Sequence, residues 1–386
     1  MTGDQPGSAA DPRPGTHVAV WLALFVALLL VLQTGTPPRA FVLAAIIIAA
    51  TLAYSLHWRL SAGAIVVLLL VGVTLRLVAS SGFSDVLMVT EAAIREMLAG
   101  GDPYGRGYDV SVPPGAPFAY GPLALLWYRP SLDDPGRMEL LASLLVLGLL
   151  AFRGRPLGLA VYAVTPAIVN AAGDGSNDTT AGLLILVALL AAVRLPLLGA
   201  VLLALAVAFK PYALAWMPGL IGLAGVGPLL AFLAASAVFW LPAVAIWGSG
   251  SLLWSFREAE AVHENPYYSL AYGLGSGGDV PQPLWGILRL WAGLALALLN
   301  LLLVRSAAGL IIGGTLVFAA TLFLGWWSTL AYLSAVAPII CWHLDDWLGL
   351  GGRVAWPGDP VRRVTTWADM AIPVRGSVMG SRAPAR

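Results

Sequence analysis

Long, continuous runs of apolar residues separated by short polar segments dominate the chain between residues 18 and 342. A helix that crosses a bilayer needs about 20 predominantly apolar residues, and fewer where polar flanks reach the interface. The runs show no period-two alternation, and unpaired backbone groups cannot lie in lipid, so they predict helices rather than barrel strands. Twelve candidate spans follow, at residues 18–33, 41–56, 62–78, 138–152, 157–171, 179–193, 197–209, 214–226, 229–247, 284–304, 310–324 and 330–342. We therefore expect an all-α polytopic membrane protein.

The composition agrees with this class and excludes several functions. Hydrophobic residues make up 59% of the 386 residues and charged residues only 11%, whereas roughly 25% of a soluble domain is charged. A net charge of +1, without any run of Lys or Arg, excludes nucleic acid as an expected partner. The single cysteine, Cys341, lies in an apolar run and is expected to be a small buried hydrophobe. No His has a ligand partner at helical metal-site spacing, so we expect no metal and no cofactor.

Arginines collect in alternate connections between the predicted spans. With the N-terminus inside, the positive-inside rule accounts for the tail after residue 342 and for Arg59, Arg153, Arg155, Arg194 and Arg305. The other connections then share the opposite, extracytoplasmic face, at residues 80–137, 173–178, 210–213, 248–283 and 325–329. We expect three regions, namely a disordered cytoplasmic segment at 1–16, a transmembrane domain at 17–343 and a cytoplasmic tail at 344–386.

The first long outer connection opens on Asp85 and is rich in Gly, Pro and Tyr. Apolar residues at helical spacing predict a short interfacial helix over residues 84–99, with Glu91 and Arg95 four apart on its polar side. Gly100 stands where a left-handed residue is needed to end that helix. Asp85 is either a general base held at the membrane surface or the N-cap of the helix.

Lys210 is the only lysine among 21 basic residues, and it lies on the face that the positive-inside rule depletes. It is either a point charge for a phosphate group or a side chain that snorkels from a helix end. Asn177 and Asp178 begin a predicted span and are either hydroxyl-binding groups or N-caps.

Several segments, taken in order, resemble a known enzyme family. They are Asp85 directly after a span, GGDPY at residues 100–104, YGPL at 120–123, FKPY at 209–212 and GWWSTLAY at 325–332. Over about residues 62–342 the chain resembles the membrane glycosyltransferases of the GT-C fold, and most closely the polyprenyl-phosphate-mannose-dependent α-mannosyltransferases of glycosyltransferase family 87.

The resemblance implies an enzyme of the bacterial plasma membrane that transfers a hexose, with mannose as the expected sugar, from polyprenyl phosphate to an outer-leaflet glycolipid or glycan with inversion. It implies Asp85 as the base and Lys210 as the ligand of the donor phosphate. The other substrate-binding residues that it implies are Asp102, Tyr104, Tyr120, Asn177, Asp178, Tyr212, Arg257, His263 and Trp327. For Arg257, His263 and the aromatic residues, the alternative is a solvated lid and an interfacial aromatic belt.

Two rival functions stay open. One is a transporter or flippase of lipid-linked saccharide, and the other is a catalytically inactive subunit that binds lipid-linked sugar. Transporters place charges near mid-membrane on broken helices, whereas nearly every charged residue here falls at the end of a predicted span. This pattern favours the enzyme.

Overall fold

The computed structural model describes residues 38–57, 60–79, 84–274, 281–350 and 354–355. Two short ladders occur there, β1 (Leu60–Ser61) parallel to β4 (Val354–Ala355) and β2 (Gly107–Tyr108) antiparallel to β3 (Ala116–Pro117). The helices are α1 (Pro38–His57), α2 (Ala62–Val78), α3 (Val86–Leu98), α4 (Pro122–Tyr128), α5 (Gly136–Arg153), α6 (Pro156–Val164), α7 (Pro166–Ala171), α8 (Asp178–Ala192), α9 (Pro196–Phe209), α10 (Met217–Ala224), α11 (Gly227–Ala261), α12 (Leu270–Gly273), α13 (Gln282–Leu303), α14 (Ala307–Phe323) and α15 (Leu333–Trp347). The all-α expectation is confirmed for the described residues.

Helices occupy the predicted apolar runs, but some runs are divided. The run at 157–171 breaks at Thr165, whose extended backbone precedes Pro166 and separates α6 from α7. The run at 214–226 begins with a 3-10 helix, Pro211–Trp216, before α10. The run at 229–247 continues past a break at Gly248, which has φ 81° and ψ 148° inside α11. The run at 18–33 lies outside the described residues.

Three described helices are long and apolar enough to cross a membrane, namely Arg39–Leu56, Gly227–Ala259 and Gln282–Leu303. A bent pair, Pro122–Ser131 with Gly136–Arg153 at 99°, raises the number to four if it is one span. Shorter apolar helices, α8 and α9 among them, pack between these elements. The protein is therefore a helical membrane protein, and the twelve crossings stay a prediction.

The last helix extends beyond the predicted domain boundary at residue 343. Asp345 is buried near the end of α15, and its carboxylate accepts hydrogen bonds from Leu157 N (3.1 Å) and Gly158 N (2.8 Å). These are free N–H groups of the first turn of α6, so Asp345 caps that helix from another element. Arg153 and Arg155 pair with the neighbouring Asp346 at the same end of the bundle. The start of the predicted tail is therefore part of the packed core.

Helices α8, α9, α14 and α15 form the main core, with Ile185, Leu203, Phe318 and Ile339 among its buried residues. Cys341 is 1% exposed and belongs to a neighbouring apolar cluster, as the sequence predicted. Glycines allow the backbones to approach closely. A Cβ on Gly182 would lie 2.6 Å from Ser334 O, and a Cβ on Gly158 would overlap with Cys341 O.

We predict that Gly158→Ala lowers the unfolding temperature of the detergent-solubilised protein. The added methyl group meets backbone rather than a movable side chain, so α6 and α15 must separate, at a cost of about 1–3 kcal/mol. Gly148→Ala on α5 is the matched control, because its Cβ meets nothing within 4 Å. Equal unfolding temperatures for the Gly158 variant and wild type would contradict the close approach.

Candidate functional site

A cavity of about 630 Å³ opens at the end of the bundle where the five predicted outer connections meet. Each of these connections supplies lining residues, and Arg289 of α13, Leu322 of α14 and the neighbouring Ala331 and Tyr332 complete the lining. The acidic and basic side chains that line it are Asp85, Asp174, Asp178, Lys210, His263 and Arg289, and the six-membered and indole rings are Tyr120, Tyr212, Phe256, Tyr267, Tyr268, Trp327 and Tyr332. The five connections that the sequence placed on one face therefore do meet at one end of the bundle. The side of the membrane on which they lie stays a prediction.

Asp85 immediately precedes α3 but does not cap it with its side chain. Its Oδ2 instead accepts a hydrogen bond from Val112 N at 2.6 Å, in the loop that follows β2. The N-cap interpretation of this side chain is therefore wrong. The rest of the predicted helix is confirmed, with an ion pair of 2.8 Å between Glu91 and Arg95 and a left-handed Gly100. Asp85 is half-buried on the cavity wall, and its role as a base stays a prediction.

Lys210 lies at the C-terminal end of α9 and is only 5% exposed. Its Nζ donates hydrogen bonds to Asn177 Oδ1 (2.5 Å) and to Asp178 Oδ1 (2.7 Å). The snorkelling interpretation is wrong, because the ammonium group is inside the protein. Asn177 provides no side-chain N-cap bond to α8, and Asp178 also accepts a hydrogen bond from Tyr212 OH at 2.7 Å.

Three tyrosine rings surround the ammonium group of Lys210. Its Nζ lies 5.2 Å from the ring centroid of Tyr120, 5.1 Å from that of Tyr212 and 5.4 Å from that of Tyr332. Cation–π attraction of this kind is strongest where water is excluded. The ring cage and the Asp178 carboxylate therefore hold Lys210 in one position and supply its counter-charge.

Glu139 is a buried carboxylate beside the site that the sequence analysis missed. It projects from the first turn of α5 and is 1% exposed. It accepts hydrogen bonds from Tyr128 OH (2.5 Å), from Thr180 N (3.0 Å) and from the Thr180 hydroxyl. A carboxylate at a helix N-terminus is stabilising, so Glu139 fixes the first turn of α8. An acidic residue at the start of an apolar run was the signal that could have indicated it.

Arg289 and the turn at Asp174 to Ser176 are further lining residues that were not predicted. Arg289 is the single charged residue of the apolar run at 284–304. A charged residue inside such a run is a signal of a functional site. Burial raises the pKa of the Asp174 carboxyl above its ordinary value, and Ser176 partly offsets this shift. Among the described residues, no group of three or more His, Cys, Asp or Glu could hold a metal ion.

The cavity wall at His263, Tyr267 and Tyr268 is fixed to the aromatic segment at residues 325–332. His263 stacks on Trp327 with ring centroids 4.0 Å apart and an interplanar angle of 4°. Ser269 Oγ donates to Trp326 O (2.6 Å), and the Trp326 indole donates to His263 O (2.9 Å). Two predicted residues, His263 and Trp327, thus form one unit of the wall.

Four predicted substrate-binding residues do not line the cavity. Asp102 accepts a hydrogen bond from Tyr104 N at 2.9 Å and so shapes its own turn. Tyr104 is 1% exposed, and its hydroxyl donates to Tyr120 O at 3.1 Å. The side chain of Arg257 is 82% exposed and pairs with Glu258, whereas Asn177 is fully buried behind Lys210. These four residues therefore lie outside the lining of this cavity, and their contact with a ligand stays a prediction.

We predict that Lys210→Met destabilises the protein by about 3–5 kcal/mol, because it leaves Asp178 buried without its counter-charge. The double variant Lys210→Met/Asp178→Asn removes both charges and keeps an acceptor for Tyr212, so it should be more stable than the single variant. Thermal unfolding in detergent measures both. Glu91→Gln is the control, since the ion pair that it breaks is exposed to solvent and contributes little to stability. If the stability lost in the double variant equalled the sum of the losses in the two single variants, Lys210 and Asp178 would not be coupled, and the prediction would be wrong.

We compared the chain with protein-family models, with curated proteins and with solved structures. None of them matches.

Proposed function

We propose that the protein is a membrane glycosyltransferase that transfers a hexose, with mannose as the first candidate, from a polyprenyl-phosphate donor to a glycolipid or glycan acceptor. The observation that carries the proposal is the position of Asp85. Asp85 lines a cavity at one end of an apolar helical bundle. Its carboxylate makes no hydrogen bond to the first turn of α3, the helix that it precedes. The motifs that resemble family 87 enzymes contribute Asp85, Tyr120, Lys210 and Trp327 to the same cavity.

In the proposed reaction Asp85 is the general base. The acceptor hydroxyl gives its proton to the carboxylate while its oxygen attacks the anomeric carbon. A new glycosidic C–O bond forms, the bond between that carbon and the phosphate oxygen breaks, and the lipid phosphate leaves with the electron pair. The hydrogen bond from Val112 N to Oδ2 orients the carboxylate. Among the described residues Oδ1 accepts no hydrogen bond, which makes it the proposed proton acceptor.

The departing lipid phosphate needs a positive charge near the membrane. We assign the main phosphate contact to Arg289, which lines the cavity, and keep Lys210, which pairs with Asp178, as a second positive charge there. Guanidinium presents a planar set of donors that matches phosphate oxygens. Arg289 lies on α13, a helix long enough to span the membrane, between the exposed apolar side chains of Leu288 and Leu290. This is where a phosphate carried on a membrane lipid would meet the cavity.

The aromatic rings of the cavity suit a sugar ring. Tyr267 and Tyr268 follow the stacked pair of His263 and Trp327 along the same wall. Apolar C–H faces of hexoses pack on such rings, while their hydroxyl groups need polar partners. Both kinds of surface line this cavity.

We expect Asp85→Asn to lower sugar transfer about 100-fold or more, because it removes the proton acceptor. The assay is transfer from radiolabelled polyprenyl-phosphate mannose to endogenous lipid in membranes that contain equal amounts of each variant. Asp109→Asn is the control, since Asp109 is exposed and does not line the cavity. Full transfer activity of the Asp85→Asn variant would show that Asp85 is not the general base.

Wild-type results decide among the rival functions. With donor and acceptor controls present, the absence of transfer would reject mannose as the sugar donated. Donor binding without turnover would indicate the inactive binding subunit, and movement of intact donor across the bilayer would indicate a flippase.

We also expect Arg289→Gln to weaken binding of the donor lipid about tenfold or more, since charged hydrogen bonds to phosphate are lost. Polyprenyl phosphate without sugar should lose the same factor. Arg129→Gln, at an exposed arginine outside the cavity, serves as the matched control. Unchanged affinity of the Arg289 variant for both lipids would move the phosphate contact to another residue.

A further inference from the structure

A tight turn at Asp174 to Ser176 lies beside Asp85 on the cavity wall. Asp174 Oδ1 accepts a hydrogen bond from Ser176 N at 2.8 Å, and Gly175 has φ +88°. Gly175 O accepts a hydrogen bond from Leu87 N at 2.9 Å, in the first turn of α3. A Cβ on Gly175 would overlap with Ser84 O. The turn is therefore held against the start of the helix that follows Asp85.

Two polar residues of this turn, Asp174 and Ser176, line the cavity. Ser176 is 1% exposed and lines the cavity, yet its hydroxyl has no hydrogen-bond partner of acceptable geometry among the described residues. This hydroxyl lies close enough to the half-buried Asp174 carboxylate to lower the pKa of that group, and Asp174 also lines the cavity. A buried hydroxyl without a partner is uncommon in a folded protein. A ligand in the cavity can supply the missing partner.

The charges around the turn select the kind of ligand. Asp85 and Asp174 place two carboxylates on this part of the wall, and Asp178 lies next to them with Lys210 as its counter-ion. A phosphate group would be repelled by Asp85 and Asp174, neither of which forms an ion pair within the part of the chain that the structure describes. Neutral hydroxyl groups fit, because a carboxylate accepts their protons in hydrogen bonds and a serine hydroxyl both donates and accepts.

We propose that Asp174 and Ser176 bind two neighbouring hydroxyl groups of the sugar unit, and so determine which sugar the cavity accepts. This inference rests on the proposed function. It assigns the sugar to the acidic wall at Asp85 and Asp174, and the lipid phosphate to the basic side chain of Arg289. The lipid phosphate contacts Arg289, while the turn holds the sugar beside Asp85. A site that is built to bind hydroxyl groups discriminates strongly against analogues that lack them.

The test compares two probes on the full chain in lipid nanodiscs, namely polyprenyl phosphate and the same lipid carrying mannose. We expect Asp174→Asn and Ser176→Ala each to weaken binding of the mannosylated lipid about tenfold. Binding of polyprenyl phosphate should stay within about twofold of wild type. Asn at 174 keeps an acceptor for Ser176 N, so the turn should still form. Asp109→Asn is the matched control, and unfolding temperatures establish that each variant is folded.

The outcomes separate the inference from the function on which it rests. If the two variants bind both lipids as wild type does, the hydroxyl site is rejected and the glycosyltransferase proposal stands. If they lose both lipids equally, the turn supports the whole cavity and does not recognise the sugar, which also rejects the inference. If wild type binds neither lipid, the proposed function itself fails.

Discussion

The buried ion pair between Lys210 and Asp178 determines how the cavity end of the bundle is built. Helix α9 ends at the lysine and α8 begins at the aspartate, so one pair joins the ends of two helices that pack along their length. Separating the charges would leave each of them in a medium of low dielectric constant, which is unfavourable. The tyrosine rings around the ammonium group come from three different parts of the chain and are fixed by the same charge.

Glu139 gives the first turn of α8 a second anchor. Its carboxylate binds the N–H and hydroxyl groups of Thr180 from one side, while Lys210 binds Asp178 and Asn177 from another. Two carboxylates at one helix N-terminus would repel each other if they were not separately neutralised or hydrogen-bonded. Here both are satisfied, so this helix end is a rigid support for the cavity wall, as binding sites require.

The sequence predicted the positions of the helices well because a long apolar run is a local property, whereas the breaks at Thr165 and Gly248 were not predicted. The distribution of arginine also grouped five connections that do meet at one cavity. Contacts across the fold were harder to predict. Lys210, Asn177 and Asp178 were each selected, but their mutual pairing depends on which helix ends adjoin in space. Order along the chain also does not tell which side of a loop faces inward, so Asp102 and Arg257 were placed in a site that they do not line.

The hydrogen bond from Leu87 N to Gly175 O connects two segments that are far apart in the chain. Long helices tilt when the thickness of the bilayer changes, and such tilting alters the distances between their ends. The backbone hydrogen bond from Leu87 N to Gly175 O opposes a change in the distance between Asp85 and the turn at Asp174 when the helices tilt. In membranes of different composition, the width of the cavity can therefore change while its acidic wall keeps its geometry.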